Sequence, residues 1–212
     1  MAKPIDLSSL DLAALIASRV CHDIISPVGA ITNGLEVLDE ENSEDMREFA
    51  MDLIRKSAKQ ASAKLQFARL AFGAAGSAGA EIDLGDAHSV SAGYMENEKA
   101  NLVWNVPRLL MGKNKVKLLL NLLLIANQCI PRGGTINVEM TNTDAAKPIF
   151  RLTAEGLNAR IPTMIADLIK NEDVERIDAH AIQPAYAGLL ADDSNMSISM
   201  EKMDDSVIIT AE

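Results

Sequence analysis

The segment Arg19-Val-Cys-His-Asp-Ile-Ile-Ser-Pro27 holds the residues best suited to chemistry in this chain. A neutral imidazole can attack an electrophile near pH 7, and a carboxylate beside it can orient the ring and raise its basicity. His22 and Asp23 are adjacent in that relation. On a helix, Ser18, Ser26 and Gly29 fall one or two turns from His22, and their small size leaves the ring open to a second protein. Pro27 removes one helical N–H a turn after His22 and predicts a bend there. A proline inside a helix costs about 3 kcal/mol, and residues that break a local rule tend to mark functional sites. A lone exposed histidine is weak evidence; the carboxylate, the small neighbours and the proline strengthen it.

Cys21-His22 also raises a metal reading. A structural zinc takes four ligands at recognisable spacing. The chain has two cysteines and three histidines, and only Cys21 and His22 lie close together in sequence. Cys21 falls in the apolar row of its helix and is expected as a small buried hydrophobe, which argues against a cysteine nucleophile as well.

The rest of the composition narrows the classes. The chain has 212 residues, 48% of them hydrophobic, enough to bury a core without disulfides or metals. Acidic residues outnumber basic ones 30 to 20, for a net charge of -10, and aromatics are 3%. A phosphate-backbone binder needs the opposite sign, and single-strand binders need stacking platforms, so no nucleic-acid partner is expected. The first residues lack the charged start and clean apolar stretch of a signal peptide. Leu118 to Ala126, the longest apolar stretch, is interrupted by Asn121 and too short to span a bilayer. The expectation is a cytoplasmic protein with no membrane partner.

The elements that must position His22 are helical. Leu10, Ala14, Ala17, Cys21, Ile24, Val28, Ile31, Leu35 and Leu38 recur at alternating spacings of four and three, a heptad seam. Ser8 or Ser9 can cap this helix. Ser43 can cap a second one, from about Glu44 to Phe72, with Met46, Phe49, Ala50, Leu53, Ile54, Ala58, Ala61, Leu65, Ala68 and Phe72 in its seam. The short polar turn Asp39-Glu40-Glu41-Asn42 makes the two helices antiparallel. One antiparallel pair shields only part of this apolar surface, so the hairpin is expected to close with a second copy into a four-helix bundle.

A small-residue linker, Gly73 to Gly79, separates the hairpin, residues 1–75, from a second domain, residues 80–212. There, Glu81–Leu84, Leu102–Val106, Thr135–Met140 and Ile149–Thr153 read as strands. Lys113–Ile130, Ile161–Lys170 and Pro184–Leu190 read as helices, and Met196–Glu201 with Ser206–Thr210 as a closing hairpin across Lys202–Asp205. The expected class is α+β: a helical hairpin followed by an α/β sandwich.

His22-Asp23-Ile-Ile-Ser26-Pro27 resembles the phospho-accepting box of sensor histidine kinases, His-Glu/Asp-x-x-Thr/Asn/Ser-Pro. The second domain resembles a histidine kinase ATPase domain with its ligands removed. Asn121-Leu-Leu-Leu-Ile125-Ala126, then Pro131-Arg-Gly133-Gly134, follows the kinase frame, but Ile125 stands where the Mg²⁺-binding asparagine would be. Mg²⁺ demands oxygen ligands. Ala154-Glu-Gly156-Leu-Asn158 stands for Asp-x-Gly-x-Gly, with Ala154 in place of the adenine-reading aspartate and Asn158 in place of the second glycine. Pro184-Ala-Tyr-Ala-Gly188 replaces the glycine-rich lid.

Together these features closely resemble the ChpT-type histidine phosphotransferases. The resemblance implies a homodimer that relays phosphate between receiver domains without ATP. It implies a CckA-like hybrid kinase receiver as donor and CtrA-like and CpdR-like response regulators as acceptors. His22 would be the phospho-acceptor, and Asp23 would orient the ring or accept its proton. Ser18, Arg19, Ile25, Ser26, Gly29 and Asn33 would dock the receiver, which brings its own Mg²⁺. No cofactor or metal of the chain's own is implied. The rival expectations are a non-catalytic dimeric pseudokinase adaptor and an active kinase with divergent ATP boxes.

Overall fold

A computed structural model describes residues 7–40, 43–73, 80–144, 146–169, 178 and 181–212. It opens with α1 (Ser9–Glu40) and α2 (Glu44–Ala71), an antiparallel hairpin. α1 runs unbroken through Pro27. The Ser43 backbone is extended, as a residue before a helix should be, but its side chain makes no capping bond. Residues 41–42 of the expected turn, residues 74–79 of the expected linker, and His180 lie outside the described residues.

The two helices meet through small side chains. Pro27 and Gly34 of α1 are buried against Ala50, Ser57 and Ala61 of α2. A Cβ on Gly34 would stand 2.7 Å from Ile54 Cγ1 and 3.2 Å from the Ala50 carbonyl. Half of the large apolar residues expected in the seam are exposed, and the other half are only partly buried. Leu10 is 78% exposed, Phe49 65%, Leu35 50% and Val28 46%. Cys21 is exposed too, a correction to its expected burial. Small residues win the contact because they let the backbones approach closely, and an apolarity count does not register that.

The second part carries β1 (Glu81–Asp83), α3 (Leu84–Met95), β2 (Ala100–Asn105), β3 (Leu110–Gly112), α4 (Lys113–Cys129), β4 (Gly134–Asn142), β5 (Ile149–Glu155), α5 (Thr163–Ile169), α6 (Ile182–Asp193), β6 (Ile198–Met203) and β7 (Ser206–Ala211). A five-stranded sheet runs β2-β4-β5-β7-β6, with β2 and β4 parallel and the remaining pairs antiparallel. β1 and β3 form a separate antiparallel pair. Met203 and Ser206 close the last hairpin, with Asp204 left-handed at φ 40°.

Burial alternates along the strands. Ile136, Val138, Met140, Phe150, Leu152, Ala154, Val207, Ile209 and Ala211 face the helices. α4 lies at the centre and is buried on every side from Val116 to Ala126, which explains its run of leucines. Phe67 and Ala71 of α2 belong to the same core. The hairpin and the sheet domain are therefore packed as one body of side chains.

α3 was not expected as a helix, and neither was β3 as a strand. The α3 segment LGDAHSVSAGYM is rich in glycine and serine and has no clear apolar face. It is held by its cap, Asp83 Oδ1 accepting from Gly85 N at 2.7 Å, and by packing on α2. β3 is three residues long, too short to show a period.

Candidate functional site

A helix turns about 100° per residue, so three sides of α1 can be told apart. Pro27 and Gly34 mark the side against α2. Leu10, Cys21, Val28 and Leu35 lie about 100° round from it. His22 lies about 140° from Pro27 in the opposite sense, with Ser18, Ser26, Gly29 and Asn33 around it. All five are exposed, the His22 side chain by 61%. Ile25, 69% exposed, edges this patch. Nothing lies within 4 Å of a Cβ built on Gly29. The predicted acceptor and five of the six predicted docking residues thus share one open surface.

Arg19 differs from the rest. Its side chain is 14% exposed, and its Nε donates to Asp23 Oδ2 at 3.0 Å. The other carboxylate oxygen, Oδ1, is 3.8 Å from His22 Nδ1. That is too long for a hydrogen bond, but it puts the carboxylate beside the ring. Pro27, having no N–H, leaves the Asp23 carbonyl without its usual helical donor. The helix holds the Asp23 backbone in place, and Arg19 holds one of its carboxylate oxygens.

The sheet domain reaches this position. Asp23 lines a small cleft with Val20, Lys64, Phe67, Tyr94 and Leu124. Tyr94 comes from α3, its ring centroid 4.6 Å from that of Phe67, and Lys64 Nζ is 6.0 Å from the centre of the Tyr94 ring. Burial, then the Glu98 and Asp23 charges, push the Tyr94 phenol above its ordinary range against the pull of Arg19. Tyr94 escaped the sequence reading because its helix did. The Arg19–Asp23 pair was legible as an i, i+4 spacing of opposite charges.

The kinase-like landmarks of the second domain serve packing. Ile125 and Ala154 are fully buried. Asn121 Nδ2 donates to the Ala71 carbonyl at 3.2 Å and to the Lys117 carbonyl at 2.9 Å, tying α4 to the end of α2. Gln183 Nε2 donates to the Asn121 carbonyl at 2.9 Å. Gly133 and Gly134 have φ of 89° and 145°, and a Cβ on Gly134 would collide with the Glu155 carbonyl. A Cβ on Gly188 would collide with the Ile169 carbonyl. Burial pushes the Cys129 thiol up to about 12, a group suited to packing rather than attack.

Comparison with known proteins identifies the family. A family model described as the histidine phosphotransferase C-terminal domain matches residues 84–206. The chain is 51% identical over 213 residues to the protein phosphotransferase ChpT of Brucella abortus (strain 2308), covering 100% of both. A solved structure of a bacterial phosphotransferase is 48% identical, with a TM-score of 0.91 and 99% of each chain covered.

Proposed function

The chain belongs to the histidine phosphotransferase family, and from that premise we propose that it is a phosphorelay intermediate. It takes a phosphoryl group from one receiver-domain aspartate and passes it to another through His22, without ATP. The observation that carries this is His22 itself, 61% exposed on a patch of small residues with a carboxylate at its side.

In the forward step the imidazole nitrogen remote from Asp23, Nε2, attacks the phosphorus of a receiver aspartyl phosphate. A P–N bond forms, the acyl P–O bond breaks, and the receiver carboxylate leaves with the bond pair. The Nδ1 proton faces Asp23, which accepts it or stabilises its positive charge. The reverse step loads the next receiver. Catalysis of phosphoryl transfer is mostly positioning and charge stabilisation, and the receiver's Mg²⁺ supplies the latter. Ser18, Ser26, Gly29 and Asn33, with Ile25 at their edge, form the docking patch. The small residues permit the close approach that in-line attack needs.

Independence from ATP is supported by Ile125 and Ala154, apolar and buried where a kinase would hold Mg²⁺ and adenine. It is supported too by glycines engaged in backbone packing rather than in a phosphate loop. The reading extends to a cytoplasmic homodimer, and the exposed row on the hairpin supports its dimeric part. By length and composition α1 is apolar enough to cross a membrane, yet Arg19, His22 and Asp23 lie midway along it. The donor and acceptors in this reading are receivers of the CckA, CtrA and CpdR kind.

The test is to mix the protein with a phosphorylated receiver and Mg²⁺ and to look for acid-labile label on the chain. Label is expected on the wild type and absent from His22→Ala, whose fold should change by under about 0.5 kcal/mol. ATP in place of the receiver should give none. Label on folded His22→Ala would overturn the assignment, and an unlabelled wild type that still binds the receiver would make it an adaptor.

A further inference from the structure

We propose that Arg19 is a positioning residue for the phosphotransfer and not a receiver contact, with Tyr94 of the second domain closing its pair with Asp23. The inference rests on the relay reading and deepens it. A docking arginine should offer its guanidinium to solvent. The Arg19 side chain is 14% exposed, less than its partner Asp23 at 23%, and its Nε is committed to Asp23 Oδ2 at 3.0 Å. With one carboxylate oxygen held, the other faces His22 Nδ1 at 3.8 Å. A shift of about 1 Å brings that oxygen into hydrogen-bond reach. The Nδ1–H tautomer of His22 is then favoured, and the lone pair sits on Nε2, the nitrogen remote from Asp23.

The rest of the cleft restricts where the pair can go. Tyr94 is 8% exposed and packs against Phe67 with the rings tilted by 39°, and both line the cleft with Asp23. Its phenol feels both Asp23 and Arg19. The second domain, stripped of the groups that would hold a nucleotide, thus contributes a wall behind the phospho-acceptor turn. Without the guanidinium, the carboxylate keeps its place in the helix but loses the partner that fixes its rotamer. Displacements of about 1 Å at a reacting group can cost a hundredfold in rate.

The experiment compares wild type, Arg19→Met and Arg19→Lys in single-turnover transfer from a phosphorylated receiver, across receiver concentrations. Arg19→Met should lower the rate at saturating receiver about ten- to a hundredfold, with the half-saturating concentration within about twofold of wild type. Arg19→Lys, able to reach Asp23 from the same turn, should restore most of that rate. A second measurement needs no receiver. The imidazole ¹⁵N shifts of His22 should report the Nδ1–H tautomer in wild type and a mixture in Arg19→Met. A raised half-saturating concentration at unchanged maximal rate would make Arg19 a docking contact and overturn the proposal, as would no change in either rate or tautomer. If wild type accepts no phosphate at all, the relay reading fails, and the tautomer comparison still decides the role of Arg19.

Discussion

His22 and Asp23 show how little of a residue's role is in its identity. Asp23 is made specific by what holds it: Arg19 at 3.0 Å on one oxygen and the His22 ring at 3.8 Å from the other. Asp83, a second carboxylate far from this site, does structural work by the same means. Its carboxylate accepts from Gly85 N at 2.7 Å and pairs with Arg108 Nε at 2.9 Å. The backbone bond first, and then Arg108, hold it below its ordinary 3.8. A carboxylate with a depressed folded-state pKa binds more protons when unfolded. Its contribution is complete above the ordinary value and is lost as pH falls through the depressed one. Asp83→Asn keeps a capping oxygen and loses the charge. Its melting temperature should lie below that of wild type near pH 6, and the gap should close toward about pH 2. A gap that stays constant over that range would mean the charge contributes nothing.

At the scale of elements, two glycines in helices have opposite meanings. Gly29 sits in α1 with open space where a Cβ would go, and Gly188 sits in α6 with the Ile169 carbonyl in that place. Gly29→Ala should stabilise by up to about 1 kcal/mol through helix propensity, a rise of about 2–4 °C in Tm. The same change adds a methyl to the proposed docking patch, so under that proposal it should also raise the receiver concentration needed for half-maximal transfer. Gly188→Ala gains the same propensity but forces α6 away from α5. Overpacking of about 1–3 kcal/mol outweighs the gain, and Tm should fall. Paired thermal melts check both signs. Both glycines look alike in sequence, and only the packing separates the one in open space from the one against a backbone carbonyl.

For the whole molecule, the unpaired side of the hairpin is the largest unfinished business of a single chain. Leu10, Val28, Leu35 and Leu65 are each between 46% and 78% exposed. Fully covering one such side chain is worth about 1.5–3 kcal/mol. Several together exceed the low end of the estimated 4–15 kcal/mol association cost. The proposed two-fold four-helix bundle would cover this row and leave each His22 about 120° away from it. Leu35→Glu should yield monomers by light scattering, with the sheet domain still folded by circular dichroism, because Leu35 lies outside the shared core. A folded wild-type monomer at micromolar concentration would rule the bundle out.

The amino-acid sequence by itself determined the hairpin, the exposed side of His22, and nearly all the strands and helices whose apolar periods are long. Those features depend on spacing along one chain, which the helix and strand periods read directly. It also put Ile125 and Ala154, which carry no side-chain oxygen, at the positions where a kinase has its asparagine and aspartate. Tertiary structure decided the rest. Contact between α1 and α2 went to Gly34, Pro27, Ala50 and Ala61, because close approach of backbones depends on smallness rather than on apolarity. α3 formed from a segment of weak propensity because its cap and its packing on α2 outweigh that weakness. Tyr94 came to stand behind Asp23 from 71 residues away in sequence. Such a neighbour leaves no trace in local spacing, since only the folded chain brings the two surfaces together.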